Sequence, residues 1–442
     1  MPGSGIASRA GSFRRKRQNK GFCCTQSPGI TPHMTQHYSI TRLGHQGDGI
    51  ADGPVYAPRT LPGEVVSGTL LGQFLTDIRV ETPSGDRVKA PCRHYKACGG
   101  CQLQHAADGF VADWKVAVVR NALAAQGLDA PMRPIHTSPE RSRRRATIAV
   151  RRTKKGTLAG FHGRASDTIT EIGDCHLLHP SLIAAIPVAE ALALLGGSRK
   201  GVLAVTLTLS EAGLDVAVKG GKPLDGPLEL ALAQATEQHG LARLSWEGEV
   251  IAMRAPPIQR FGAAGVIPPP GAFLQATKDG EQALLKAVFE AVRGAKHVVD
   301  LFAGCGTFSL PLAETAEVHA VEGEAEMTQA LDQGWRKAQG LKQITTEARD
   351  LFRRPLMPDE LKAFDAVVLD PPRAGAEAQV AELAQAHPPV IAYVSCNPVT
   401  FARDAKTLVN AGYTLEWVQV VDQFRWSSHT ELAARFTLNR KT

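Results

Sequence analysis

The sequence predicts an α/β protein: a doubly wound, mostly parallel sheet at the C-terminal end, preceded by a small β-barrel and a mixed α+β segment. Two observations carry this. After Ile267-Pro268-Pro269-Pro270, apolar runs of strand length alternate with stretches of helical periodicity. Before that, from Gln36 to Ala90, short β-type runs are cut at regular spacing by Gly47-Asp48-Gly49, Asp52-Gly53, Pro62-Gly63 and Ser84-Gly85-Asp86, punctuation that suits a small barrel.

In chain order, residues 1–35 form a Gly-, Ser- and Arg-rich tail with little apolar periodicity, a composition that predicts disorder. The formal net charge of +7 is concentrated there: residues 1–33 carry Arg9, Arg14, Arg15, Lys16, Arg17 and Lys20 and no acid, and without those six the chain stands at +1. Bulk basicity therefore does not argue for a nucleic-acid partner, and any such surface must be a local patch. The tail reads as a basic arm, as a transit peptide, or, the favoured reading, as a segment with no working role, Met34 being the real start.

Residues 36–90 are assigned to the barrel and 91–265 to a mixed segment. The latter holds a Cys-rich knot, a helix near Val111 to Ala125, and β-like runs at Ala146–Arg152 and Val202–Leu209. Ile267 to Pro270 reads as a linker. In 266–442, a helix over Asp279–Val292 puts Leu284, Leu285, Val288 and Val292 on one face. Strands are predicted at Val298–Phe302, Val318–Glu322, Ile344–Asp350, Ala366–Asp370 and Val390–Cys396. Two last runs, Thr414–Val421 and Leu432–Leu438, have no helix between them and should pair antiparallel at one sheet edge. No apolar run approaches the roughly 18–20 residues of a membrane span, so a soluble, cytoplasmic protein is expected. With eight cysteines and no secretory signal, metal-binding or catalytic thiols are favoured over disulfides.

Five motifs carry chemistry. Val298-Val299-Asp300-Leu301-Phe302-Ala303-Gly304-Cys305-Gly306-Thr307 runs from an apolar strand into a glycine turn, where a ligand can approach the backbone closely. Glu322, 22 residues after Asp300, ends the next strand, a position that suits a ribose diol. The full dinucleotide fingerprint is absent, so a single-nucleoside cofactor fits better. Leu369-Asp370-Pro371-Pro372-Arg373 sits at the carboxyl end of a strand, where open α/β sheets bind ligands. In Tyr393-Val394-Ser395-Cys396-Asn397-Pro398, Pro398 suits the first turn of a helix. The helix N-terminus beside Cys396 is expected to lower its thiol pKa, although a lone Cys on an apolar strand is more often a small buried hydrophobe. Glu431, in Ser428-His429-Thr430-Glu431-Leu432, is a solvated charge if taken alone and a general base if paired with a nucleophilic Cys. Finally, Cys92, Cys98 and Cys101, completed by Cys175 downstream, offer four thiolates for zinc or an iron–sulfur cluster; the three-plus-one arrangement leans to the latter. A run of cations, Arg141, Arg143, Arg144, Arg145, Arg151, Arg152, Lys154 and Lys155, lines a phosphate-following surface or an ordinary solvated face.

Together these motifs resemble the RNA 5-methyluridine methyltransferases, in particular the TRAM-containing, iron–sulfur 23S rRNA enzymes. The likeness covers Gln36 to the C-terminus and rests on "CRHYKACGGCQLQH", "DLFAGCGTFSLPLA", "LDPPRAG" and "SCNP" in that order. It implies a TRAM/OB-like RNA-binding barrel, a central α+β iron–sulfur domain and a Rossmann-like class I methyltransferase domain. It implies a 4Fe-4S cluster on Cys92, Cys98, Cys101 and Cys175. It also implies S-adenosyl-L-methionine contacts from Gln275 (in "AFLQAT"), Phe302, Thr307, Glu322 and Asp350, with Asp370 near both cofactor and base. Cys396 matches the family nucleophile and Glu431 its general base. Thr277 departs from the Asn that often follows the Phe-x-Gln element, and Asp350 rests on a loose local match.

The activity so implied is methylation of uridine carbon-5 in RNA by a monomer. The barrel favours 23S rRNA, with tRNA as the alternative. A 5-methylcytosine enzyme would need a Cys in the loop that here reads Asp370-Pro371-Pro372-Arg373. A non-catalytic RNA-binding iron–sulfur protein would not need Cys396 and Glu431 together.

Overall fold

The computed structural model describes residues 36–439; the basic tail, with Met34, Cys23 and Cys24, lies outside the described residues. Strands β1 (His37–Leu43), β2 (Gly49–Ala51), β3 (Val55–Ala57), β4 (Val65–Leu71) and β5 (Phe74–Thr82) close a barrel in the order β1-β2-β3-β5-β4. Closure leaves no open edge, and Tyr38, Ile40, Val55, Val66 and Leu75 fill the interior. The barrel docks through a buried cluster of Leu61, Leu103, Ala106 and Val111. A two-pronged ion pair reinforces it, Arg164 to Asp48 at 2.5 and 2.6 Å.

Helix α1 (Asp108–Ala125) and strand β6 (Met132–Thr137) follow the cysteine loop. A seven-stranded sheet comes next, ordered β13-β12-β11-β10-β7-β8-β9. Its strands are β7 (Arg145–Arg152), β8 (Thr157–His162), β9 (Ile169–Glu171), β10 (Leu203–Ser210), β11 (Gly213–Lys219), β12 (Arg243–Trp246) and β13 (Glu249–Met253). Helices α2 (Pro180–Ala184), α3 (Ile186–Gly196) and α4 (Gly226–Gln238) complete this unit, with Leu182, Leu192 and Leu232 in one core with strand residues such as Ile148 and Val205. A hairpin, β14 (Gln259–Phe261) and β15 (Ala264–Val266), leads to the proline run. That run is not a free linker: the Arg243 guanidinium, paired with Asp215, donates to the Pro268 carbonyl at 2.8 Å.

The C-terminal elements are α5 (Lys278–Ala291), β16 (His297–Leu301), α6 (Ser309–Leu312), β17 (Glu317–Glu322), α7 (Ala325–Lys337), β18 (Ile344–Ala348), α8 (Pro358–Leu361), β19 (Ala366–Leu369), α9 (Glu377–Ala386), β20 (Val390–Ser395), α10 (Pro398–Asn410), β21 (Tyr413–Asp422) and β22 (Glu431–Leu438). They form an eight-stranded sheet in the order β18-β17-β16-β19-β20-β22-β21-β6. The strands from β18 to β20 are parallel, and β22 lies antiparallel between β20 and β21. Both faces are covered, one by α5 and α7 and the other by α1, α9 and α10, which is why the central strands are continuously apolar.

Two differences from the sequence reading follow. The antiparallel pair does not end the sheet, because β6 adds to β21 in parallel. Helix α1, read as part of the mixed segment with β6, packs Val119 and Leu123 against Phe401 and Ala402 of α10, in the core of the C-terminal sheet.

Candidate active site

The parallel strands end on one side in a group of acids. After β16 the chain turns sharply: Phe302 takes φ 65°, and Gly304 and Gly306 take 56° and 91°, values that suit glycine and strain Phe302. The Gly304 amide donates to Glu322 at 3.0 Å, so the tip of β17 braces the turn. Thr307 follows it, half-buried. Asp300 is buried and accepts from the Ser309 hydroxyl at 2.5 Å, its second oxygen unpartnered. Burial, then the nearby charge of Glu322, pushes its carboxyl up to about 7. Asp370, beyond β19, is likewise pushed up to about 7, first by burial and then by Asp300 and Glu322. Asp350 lies just past β18, where Arg349 donates its amide to the Glu322 carbonyl at 2.8 Å. Asp350 itself accepts from the Phe352 amide at 3.0 Å, and Phe352 packs on Phe302 with ring centres 5.5 Å apart.

Cys396 and Glu431 come together by strand register. Ser395 of β20 pairs with Leu432 of β22, so the next antiparallel position sets Cys396 opposite Glu431. Asn397 caps α10 and donates its side-chain amide to the Arg373 carbonyl at 2.9 Å, tying the Asp370–Arg373 loop to the cysteine turn. The expected lowering of the Cys396 thiol pKa does not occur. Burial, followed by the charges of Glu431 and Asp370, pushes it up to about 11, against a smaller opposing pull from Arg373. A half-buried thiol facing two carboxyl groups outweighs the helix N-terminus. Glu431 is pushed up to about 8, chiefly by burial and then by Asp370, with opposing help from a Gln423 hydrogen bond and Lys115.

Cys396, Arg373 and Ser428 open onto a cleft of about 1260 Å³ whose far wall is built by Tyr56 and Phe74 of the barrel and Trp114 of α1. Its size and its mixed charged and aromatic lining suit a polymer segment better than a small metabolite.

Residues 269–439 match the family described as tRNA (uracil-5-)-methyltransferase. An RNA methyltransferase of Rhizobium meliloti is 44% identical over 405 residues, 90% of this chain and 98% of its own. A 23S rRNA (uracil(1939)-C(5))-methyltransferase of Halomonas elongata is 34% identical, covering 89% of this chain and 87% of its own. The chain belongs to the RNA uracil-C5 methyltransferase family. Among solved structures, Pyrococcus abyssi tRNA (uracil-54, C5)-methyltransferase, in complex with S-adenosyl-L-homocysteine, superposes with a TM-score of 0.70 at 23% identity. The match covers 91% of this chain and 99% of that one, so the likeness of fold is chain-wide.

In this uracil-C5 methyltransferase, Cys92, Cys98, Cys101 and Cys175 line one small pocket with Tyr95, Phe161 and Ile172. Burial pushes the Cys101 thiol up to about 12 and raises Cys92 and Cys98 as well. Among the described residues, no group of three or more His, Cys, Asp or Glu side chains meets the geometry to hold a metal ion. The cysteine loop is nevertheless wired to the active site. The Gln102 and Leu103 amides donate to the Trp426 carbonyl at 2.8 and 2.9 Å, and the Gln102 side chain accepts from the Ser428 amide at 3.3 Å.

Three of the eight cations in the run, Arg143, Arg144 and Arg145, are engaged within the fold. Arg144 is buried against Glu281 and Arg145 donates to the Gly271 carbonyl at 3.0 Å. Arg143 stacks over Phe424 at 5.5 Å. Arg141 is exposed, and Arg151, Arg152, Lys154 and Lys155, at the turn between β7 and β8, are exposed or half-exposed.

Two residues escaped sequence reasoning. Lys115 is fully buried, with its ammonium 2.5 Å from Asp422 and 3.1 Å from the Phe424 carbonyl. It shares the buried helix stripe Val111, Lys115, Val119, Leu123, and a lysine on an apolar stripe was the available signal. Gln423 connects Glu431 to Gln275, and no local pattern marks it.

Proposed function

We propose that this chain transfers a methyl group from S-adenosylmethionine to carbon-5 of a uridine in 23S rRNA, with Cys396 as covalent nucleophile and Glu431 as general base. The observation that carries the reading is the register that sets Cys396 opposite Glu431, with Asp370 near enough for its charge to act on both. The ribosomal target is supported by the Halomonas relative, whose likeness spans nearly the whole chain. Gln275, Phe302, Thr307, Glu322, Asp350 and Asp370 would bind the methyl donor: Glu322 takes the ribose, and the turn at Gly304 admits the donor close to the backbone.

Carbon-5 of uracil is a poor nucleophile. The Cys396 sulfur, once deprotonated, adds to carbon-6 and places electron density on carbon-5. Arg373 is the charge that favours the thiolate. Carbon-5 then bonds to the donor's methyl carbon as the methyl–sulfur bond breaks, its electron pair leaving with S-adenosylhomocysteine. Glu431 removes the carbon-5 proton, the C–H pair re-forms the double bond to carbon-6, and the C–S pair returns to Cys396. The target base must leave its stack to reach Cys396, and the cleft between barrel and catalytic loops would hold its flanking nucleotides.

The four pocket cysteines offer the donor set of a 4Fe-4S cluster, since four sulfurs and no carboxylate line one cavity, with the Arg143 charge acting on Cys101 and Cys175. When bound, the cluster would staple the Cys92–Cys101 loop to the Cys175 segment. Gln102 and Leu103 carry the order of that loop to the segment before Glu431.

Nucleoside mass spectrometry of 23S rRNA and tRNA from a strain lacking the gene tests the reading. Loss of one 5-methyluridine from 23S rRNA is expected. Loss from tRNA keeps the chemistry and moves the target; no loss in either pool rejects the assignment.

A further inference from the structure

Resting on the reading of Glu431 as general base, we propose that Gln423 is a positioning residue for that base. It locks Glu431 and Gln275 into one hydrogen-bonded unit that reaches Asp370. The Gln423 amide nitrogen donates to the Gln275 side-chain carbonyl at 2.7 Å and also to Glu431 Oε2. Its carbonyl oxygen accepts from the Thr277 backbone amide at 3.2 Å. Both amide hydrogens are used and the orientation of the group is fixed by a backbone donor, so it has one rotamer sense. Gln275 continues the chain to Asp370 Oδ2 at 3.4 Å. The side chain is buried, and α5 makes room for it with a glycine: a Cβ at Gly280 would stand 2.2 Å from Gln423 Cγ. The site is therefore shaped around this glutamine.

The arrangement has a chemical consequence. Gln423 occupies Oε2 of Glu431 as a donor, so the carbon-5 proton goes to the other oxygen. An amide N–H favours the carboxylate over the acid, so the contact also keeps the base in its working form within a buried site. The release step is where this acts. There Glu431 takes the proton, the C–H pair forms the carbon-5 to carbon-6 double bond, and the sulfur leaves as the Cys396 thiolate. Addition of Cys396 and transfer of the methyl group do not require that proton to move. Loss of Gln423 should therefore separate the two halves of the reaction.

The test uses the full chain, total RNA from a strain lacking the gene, and S-adenosylmethionine carrying a tritiated methyl group. Gln423→Met keeps the side-chain length and removes both donors; Gln423→Asn, whose amide is too short to span both partners, serves if the first does not fold. Denaturant-stable labelled protein–RNA adduct and free 5-methyluridine are followed together. We expect adduct formation within about threefold of wild type and release slower by about 10²-fold, so labelled adduct accumulates. The release limb should move to higher pH. Release at the wild-type rate without accumulation overturns the proposal, as does an equal fall in capture and release, which marks a merely structural residue. If the wild-type protein forms no adduct, or Cys396→Ala still methylates, it is the Cys396 and Glu431 reading that has failed.

Discussion

Cys396 and the four-cysteine pocket present the same functional group in two settings. Burial raises the thiol pKa in both. What separates them is access and company. Cys396 opens onto a large cleft, faces Glu431 and Asp370, and has Arg373 as the charge that favours its thiolate. The other four share one small pocket with Phe161, Ile172, Tyr95 and two histidines, His94 and His176. In the proposed mechanism the Cys396 thiol would react once per turnover and rest neutral between turnovers, whereas four thiols gathered in one pocket would suit a permanent inorganic ligand. The difference lies in the surroundings, not in the residue.

The largest effects should come from breaking this contrast directly. Cys396→Ala should abolish both covalent capture of RNA and methylation, a loss of at least about 10⁴-fold, with little change in thermal stability. Glu431→Gln should retain capture and stall as a methylated adduct. Cys175→Ser should do the opposite of Cys396→Ala. It lowers the unfolding temperature and loosens the Phe424–Thr430 segment, seen as faster amide exchange at Ser428, while the residual folded protein still captures RNA. A Cys175→Ser protein as stable as wild type, with catalysis lost, would erase the distinction.

Lys115 and Asp422 test how the two regions are joined. The pair links α1, which follows the cysteine loop, to the end of the strand preceding the Gln423–Thr430 segment. Lys115→Met leaves Asp422 charged and buried, a change that costs about 3–5 kcal/mol when one partner of such a pair is removed. Replacing both, Lys115→Met with Asp422→Leu, should recover much of that loss in denaturant unfolding yet leave methylation impaired, because Lys115 also favours the ionised form of Glu431. Full recovery of activity in the double variant would reduce the pair to packing.

Much of the C-terminal half was legible from sequence because its signals are local. Strand positions at β16, β17, β19 and β20 follow from apolar runs and fall within a residue or two of the observed ends. Asp300, Glu322 and Asp370 stand at strand tips because the alternation of strand and helix puts them there. Pairings distant in sequence were not legible. Nothing near Met132 says that it will lie beside Val418. Arg144 reads as a surface cation until Glu281 is seen against it. The thiol pKa of Cys396 was misjudged for the same reason: the helix N-terminus is written next to it, whereas the carboxyls that oppose it come from other strands.

The smallest effect is a pH dependence that sharpens the contrast at Cys396 itself. With its thiol at about 11, the RNA-free protein is neutral there at pH 7, and the thiolate fraction grows nearly tenfold per pH unit up to the thiol pKa. Glu431, ionising at about 8, adds negative charge beside the thiol and flattens the rise slightly above that pH. Alkylation of the Cys396 peptide by iodoacetamide, followed by mass spectrometry between pH 7 and 10, should therefore climb without a plateau. In Glu431→Gln the opposing charge is gone, so the same rise should shift to lower pH. A plateau below pH 8 in the wild-type protein would mean a resting thiolate, and Arg373 with the α10 N-terminus would then outweigh burial and the two carboxyls.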